Sequence, residues 1–380
     1  MEQCKVYKRC GGCQLQNLSY EQQLAYKQNK LTGLLSTYAK VAPIVGMEHP
    51  LHYRNKVQAA FYWDFKHRRC ASGVFQSTSQ KIVPVEQCMI EDEQCDAIVQ
   101  TVRRLADSFK IKPYDMRYRT GVLRHVLVRR GFTTGELMVV LVTFSSQFPS
   151  KNNFVKALLK AHPTITTVVH NISSGAMPLV LGEQSRTLYG KGYIEDVLCG
   201  RRFRISPASF FQVNPVQCEK LYRYAIDAAR LTGSETVFDS YCGTGTIGLI
   251  AAENAKQVTG VELNRDAVRD AVANAKLNAV GNIRFVCGDA GDYIAQAAKN
   301  GERFDVVLMD PPRAGSTVKF MKAVCKMQPQ RIVYISCNPV TLARDLSFLT
   351  KNGYRADSIQ GFDMFPYTKH VETVVICEKQ

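Results

Sequence analysis

Apolar and polar positions predict helices and strands along the whole chain, and after residue 230 they settle into a regular succession of strand and helix. In the first half, Leu24, Leu31, Leu34 and Leu35 fall at near-helical spacing among polar neighbours, which predicts an amphipathic helix over 20–39. Period-two runs at 57–63, 122–128 and 136–143 predict strands. With a helix near 153–160 and more strand near 167–172, they make an α/β domain over 41–205. A polar and aromatic connector at 206–215 leads into a helix over 216–230. Beyond it, strand-like runs at 235–241, 257–261, 283–287, 304–309, 332–335 and 373–377 predict a doubly wound α/β domain over 206–380. Residues 1–40 hold a cysteine loop and the amphipathic helix, and no segment repeats another.

Length and composition exclude several classes. A chain of 380 residues with 46% apolar side chains has enough for two or three packed domains. No early apolar run carries a cleavage site, and no uncharged stretch reaches the ~18 residues of a membrane span, so a cytoplasmic protein without membrane contact is expected. Thirteen cysteines in such a chain read as thiols, metal ligands or a nucleophile before disulfides. Charge changes the picture further. Residues 1–210 hold 29 Lys and Arg against 15 Asp and Glu, whereas 211–380 hold 20 against 18, so +14 of the net +16 lies in the first half. A basic half joined to a neutral one points to a polyanion, and nucleic acid is the obvious candidate.

The candidate chemistry concentrates at strand ends. The apolar run 332–335 ends on Ser336-Cys337-Asn338-Pro339, where proline forbids continuation. A cysteine at the carboxyl end of a strand in an open parallel sheet points into the ligand crevice, so Cys337 is a candidate nucleophile rather than a small core residue. Gly243-Thr244-Gly245-Thr246-Ile247-Gly248, between a strand and a helix, with Glu262 at the next strand's end, is a nucleotide-type fingerprint. Its glycines allow close approach and its acid holds ribose hydroxyls. Asp289 follows the strand at 283–287, where an adenine amino group is met, and Asp310-Pro311-Pro312 places a carboxylate and a stiff turn beside a planar base. Gln212, between aromatic residues in the connector, carries a donor and an acceptor for a base or cofactor edge.

In the basic half, Cys4, Cys10 and Cys13 follow the spacing C-x5-C-x2-C with Gly11 and Gly12 between them, and Cys88 or Cys95 supplies a fourth ligand for an iron–sulfur cluster or zinc. The spacing is not the C-x3-C-x2-C of radical S-adenosylmethionine chemistry. Tyr53-Arg54-Asn55-Lys56 interleaves ring, cations and amide at the start of a strand, as RNA contacts do, and basic clusters recur at 66–69 and 117–130.

Taken in order, C-x5-C-x2-C with VEQC, YRNK, SFFQVN, DSYCGTGTIG, DPPRAG, ISCNP and HVET resemble the RNA (uracil-C5)-methyltransferases, in particular the 23S rRNA branch that carries an iron–sulfur cluster. The resemblance implies a C-terminal Rossmann-like S-adenosylmethionine-dependent domain and an N-terminal iron–sulfur-bearing α/β RNA-binding domain. It implies a [4Fe-4S] cluster on Cys4, Cys10, Cys13 and Cys88, donor contacts at Gln212, Tyr241, Glu262 and Asp310, Cys337 as nucleophile and Glu372 as base. Gly243, Gly245 and Asp289 join the donor set, with Thr246 where some members have asparagine. Larger members begin with a small β-barrel RNA-binding module, which is not expected here because Cys4 lies near the start.

Carbon 5 of uracil is a poor nucleophile until a thiolate adds at carbon 6, and the adduct needs a base at carbon 5 before the thiolate can leave. Cys337 and Glu372 answer those needs. The methyl arrives as an electrophile, so the cluster is expected to shape the RNA-binding domain rather than to move electrons. A tRNA T-loop uracil-C5 enzyme, a cytosine-C5 enzyme and a non-catalytic RNA-binding assembly factor are the alternatives.

Overall fold

The computed structural model describes residues 4–76, 79, 81–175 and 180–380. The chain divides into two compact units. One holds the chain up to Asn17, His49–Val197 and Arg204–Ala208, and the other holds Leu18–Glu48, Leu198–Phe203 and Ser209–Gln380. The boundaries expected from the sequence run in chain order, whereas helix Tyr20–Leu35 and strand Val41–Val45 belong to the second unit. The cause is a long-range pairing: Val41–Val45 lies parallel to Tyr354–Phe362, a partner that no local pattern reveals.

The sheet of the second unit has eight strands, in the order Val41–Val45, Tyr354–Phe362, Glu372–Lys379, Arg331–Ser336, Val306–Met309, Thr236–Ser240, Gln257–Glu262 and Ile283–Cys287. Numbered along the chain from Thr236, the last seven give the order 3-2-1-4-5-7-6 when read from the far edge. Glu372–Lys379 runs antiparallel to both neighbours and the other pairings are parallel. Val306–Met309 is buried along its whole length, as expected of a central parallel strand covered on both faces. The strand order reverses between Thr236–Ser240 and Val306–Met309, so a crevice opens at their carboxyl ends. Helix Pro215–Ala229 covers Arg331–Ser336 and Glu372–Lys379. Asn214 caps it by accepting the Gln217 N–H, and proline occupies its first turn.

Helix Tyr20–Leu35 starts with a capping box between Ser19 and Gln22, and it buries Leu31 and Leu35 in the core of this unit. The same face carries Lys27, wholly buried, whose ammonium lies 2.5 Å from the equally buried Asp363 and donates to the Phe365 carbonyl at 3.0 Å. Lys27→Met leaves that carboxylate buried without its counter-charge. The expected cost is about 3–5 kcal/mol, read as a lower midpoint in thermal unfolding, and an unchanged midpoint refutes it.

The first unit is built on a seven-stranded sheet in the order Ile82–Pro84, Arg69–Phe75, Lys56–Asp64, Leu123–Arg130, Leu137–Thr143, Ile165–Ile172, Gln184–Tyr189, parallel only between Leu137–Thr143 and Ile165–Ile172. Helices Glu93–Ser108 and Lys151–Ala161 bury Cys95, Ile98, Val102, Phe154 and Leu158 in its core. A hairpin of Ile194–Leu198 and Arg201–Ile205 forms a separate two-stranded sheet. No helix among the described residues is long and apolar enough to cross a membrane.

Candidate active site

A cleft in the second unit is lined by Gln212, Tyr222, Tyr241, Gly243, Thr246 and Asp310, among others. Strand Thr236–Ser240 ends in Tyr241, which takes a left-handed φ of 61°, and Gly243 and Gly245 follow with φ of 54° and 80° before helix Thr246–Ala251. At Gly245 a side chain is excluded as well as strained, because a Cβ there meets Phe285 at 2.6 Å. Asp239 accepts the Gly248 N–H at 2.9 Å, and burial pushes its carboxyl up to about 8. Glu262 accepts the Gly243 N–H at 3.1 Å through one oxygen and the Asn264 N–H at 2.8 Å through the other. The carboxylate is thereby fixed and keeps lone pairs for a sugar's hydroxyls. Asp289 caps helix Ala290–Lys299 through one oxygen, accepting the Asp292 N–H at 2.9 Å.

Four of the residues singled out in the sequence meet at the carboxyl edge of this sheet. Ser240 lies opposite Met309, and Ser336 lies opposite Thr373 in the antiparallel pair. The next positions are Tyr241 beside Asp310, and Cys337 beside Glu372. Asn338 holds the strand end by capping helix Pro339–Thr350, accepting the Val340 N–H at 3.2 Å while its amide donates to the Arg313 carbonyl at 3.1 Å. Cys337 thus stands just ahead of a helix N-terminus, whose dipole favours a thiolate. Burial, then the charges of Glu372 and Asp310, raise its thiol to about 11, against a lowering influence from Arg313. Burial and the Asp310 charge push the Glu372 carboxyl up to about 8, and burial pushes Asp310 to about 7. Cys242, the rival thiol, is 7% exposed and held well above the usual thiol range by burial and the charges of Asp239 and Glu262.

A model of the tRNA (uracil-5-)-methyltransferase family matches residues 182–380. An uncharacterized RNA methyltransferase of Halalkalibacterium halodurans is 41% identical over 380 residues, covering 99% of this chain and 82% of its own. One from Listeria monocytogenes is 43% identical over 377 residues, covering 98% and 83%. The chain belongs to the RNA (uracil-5-)-methyltransferase family. Among solved structures it is similar to Pyrococcus abyssi tRNA (uracil-54, C5)-methyltransferase in complex with S-adenosyl-L-homocysteine, with a TM-score of 0.82 and 29% identity over 96% of this chain and 85% of that one. As a member of the family the chain is an S-adenosylmethionine-dependent RNA methyltransferase acting at carbon 5 of uracil, on a Rossmann-like α/β fold.

Within this methyltransferase, the first unit gathers the N-terminal cysteines. Helix Tyr7–Cys10 ends on Gly11, with a left-handed φ of 71°, and a Cβ on Gly12 meets the Cys10 sulfur at 3.3 Å, so the loop closes on its own thiols. Burial and the charges of Cys10 and Cys4 raise Cys13 to about 12, and Cys88 in turn feels Cys13. Cys4, Cys10 and Cys13 act on one another's charge and Cys13 acts on Cys88, but among the described residues no group of three or more His, Cys, Asp or Glu side chains is placed to hold a metal ion. Thiolates are the ligand type that an iron–sulfur cluster or zinc takes, so the residue types fit such a group where the observed spacing does not. Cys95 points into the apolar core, away from this role.

Tyr53 and Asn55 are buried, and the Arg54 guanidinium lies 5.9 Å from the Tyr53 ring centre. Lys56 pairs in register with buried Arg129, and burial followed by the Arg129 charge lowers its ammonium to about 8. Tyr222 and Cys218, two buried groups on helix Pro215–Ala229, are site neighbours that sequence inspection misses. Tyr222 shares a hydrogen bond with Gln212 and feels Asp310, and Cys218 feels Asp310 and Glu372. Their spacing of four on a helix, about one turn, looks like ordinary core.

Proposed function

We propose that the chain methylates carbon 5 of uridine in 23S ribosomal RNA, with Cys337 as nucleophile and Glu372 as base. The observation that carries this is the meeting of Cys337, Glu372 and Asp310 at one sheet edge, beside the cleft lined by Gln212 and Tyr241. Glu262, Gln212, Tyr241, Thr246 and Asp310 hold S-adenosylmethionine, with Gly243 and Gly245 leaving it room and Asp289 reaching its adenine. When bound, it supplies an electrophilic methyl. The Cys337 thiolate adds to carbon 6 of a flipped uracil, forming a carbon–sulfur bond, and the electron pair displaced to carbon 5 makes that carbon the nucleophile. Carbon 5 takes the methyl as the methyl's bond to sulfur breaks and S-adenosylhomocysteine leaves with that electron pair, and Glu372 then takes the proton remaining on carbon 5. The freed electron pair restores the ring double bond and expels Cys337 as thiolate. A base raised to about 8 is matched to that proton near neutral pH.

Cys4, Cys10, Cys13 and Cys88 hold a [4Fe-4S] cluster that orders the basic unit; Arg54 and Lys56 are the RNA contacts there, and buried Tyr53 and Asn55 hold the segment that presents them. Cys88→Ser is expected to remove the brown chromophore and most acid-labile sulfide from purified protein, and to weaken RNA binding. A variant that keeps both counts against the ligand set, and zinc in place of iron in the parent protein refutes the cluster.

A second reading, a tRNA T-loop enzyme, is favoured by the likeness to the Pyrococcus abyssi tRNA (uracil-54, C5)-methyltransferase. The cysteine set speaks for ribosomal RNA, because the resemblance ties it to that branch. Methyl-labelled S-adenosylmethionine is incubated with unmodified 23S rRNA and with unmodified tRNA, and the labelled nucleoside is identified. Labelled 5-methyluridine in rRNA alone is the expected result. Label in tRNA alone moves the enzyme to the second reading.

A further inference from the structure

Helix Pro339–Thr350, which follows Cys337, does more than end a strand. Asn338, Thr341, Arg344 and Asp345 line one side of its start at spacings of three, three and one, and all four grip the loop after Asp310. The Arg313 carbonyl accepts from Asn338 at 3.1 Å and from Thr341 at 3.4 Å. The Arg344 guanidinium donates to the Ala314 and Ser316 carbonyls, each at 3.1 Å. Asp345, wholly buried, accepts the Ser316 N–H at 2.8 Å, the Tyr334 hydroxyl at 2.6 Å and Arg344 Nε at 2.8 Å. Gly315, at φ 79°, lets the loop come this close, since a Cβ there meets Arg344 at 2.6 Å and Asp345 at 2.7 Å. The Ser316 hydroxyl in turn lies 3.3 Å from that of Tyr241.

We infer that Asp345 is a positioning residue: through Ser316 and Arg344 it clamps the 313–316 loop so that Arg313 stands beside the Cys337 sulfur and Tyr241 faces the donor cleft. The buried Asp345 carboxylate takes donors from three elements: the loop, the strand of Tyr334 and its own helix. The charged groups that act on Cys337 are Glu372, Asp310 and Arg313, and of these Arg313 alone favours the thiolate. Arg313 also lies 3.3 Å from His370, its neighbour across the site. Loss of the clamp removes the one favourable charge and leaves the two unfavourable ones.

The inference rests on Cys337 as nucleophile, and two assays keep the questions apart. The first is alkylation of Cys337 by iodoacetamide, followed by mass spectrometry of its peptide as pH is raised. The second is adduct formation with RNA containing 5-fluorouridine. In Asp345→Asn the pH of half-maximal alkylation is expected to rise by about one unit, and adduct formation at fixed pH to slow about tenfold. Arg313→Gln should give the same shift, and the double variant no more than either alone. Arg344→Met, whose side chain is 56% exposed and tolerates change, should give a smaller shift of the same sign if Asp345→Asn fails to fold. A lower melting temperature with an unmoved alkylation midpoint, or additive shifts in the double variant, overturns the clamp. Parent protein that is alkylated normally but never forms an adduct overturns the nucleophile assignment instead.

Discussion

Cys337→Ala is expected to lower methylation of RNA by at least about 10⁴-fold, the scale on which loss of a nucleophile acts. The protein should lose with it the denaturation-resistant complex with RNA containing 5-fluorouridine, because fluorine cannot leave carbon 5 as a proton does and the parent enzyme stalls as a covalent adduct. The fold should survive. Cys337 is half-buried at a strand end, and alanine keeps the strand, the Asn338 cap and the proline start of the following helix. Cys242→Ala is the control. Its sulfur is packed against Gly260, where a Cβ meets it at 3.0 Å, and two carboxylates stand against its ionisation. That variant should still form the adduct. A stable complex in Cys337→Ala, or its loss in Cys242→Ala with an intact fold, refutes the assignment.

Glu372→Gln is expected to separate the two halves of the reaction. Glutamine cannot take the proton from carbon 5, so the ring double bond cannot reform and Cys337 cannot be released. Multiple turnover should fall by about 10²–10⁴-fold. Methyl label should nevertheless appear in a denaturation-resistant complex with ordinary uridine, up to one equivalent per enzyme. The first step should not suffer, since the neutral amide removes a charge that opposes the Cys337 thiolate. In the parent enzyme, turnover should rise with pH towards about 8, where Glu372 becomes the carboxylate. Asp310 raises that value by repulsion, so Asp310→Asn should move the same limb to lower pH, together with any loss of donor binding. A Glu372→Gln enzyme that turns over normally, or that forms no covalent complex with uridine RNA, rules out its role as base.

Local patterns carried a large part of the fold. The helix at 216–230 is observed at Pro215–Ala229, and the strand expected at 283–287 is Ile283–Cys287, because proline, a capping asparagine and runs of buried apolar residues act within a few residues of themselves. Helix Glu93–Ser108 is not among the elements the pattern predicts, although Asp92 caps it by accepting from Gln94 and Cys95, because Cys95 reads as a possible ligand until the fold places it on the helix's apolar face.

The chemistry on offer is legible residue by residue: a glycine turn after a first strand, an Asp-Pro-Pro turn, a cysteine stopped by Asn-Pro, and a basic half with closely spaced cysteines. These are properties of neighbouring residues, and spacing is enough to state them. Which of them share a site depends on strand pairings between segments far apart in the chain. Pairing of Ser336 with Thr373 brings Glu372 to Cys337 across 35 positions of sequence, and the parallel pairing of Val41–Val45 with Tyr354–Phe362 draws the N-terminal helix into the second unit. Asp345 needed the structure too. A charged residue on a helix reads as solvated until the fold is seen to bury it, and burial is a sum over partners distant in the chain.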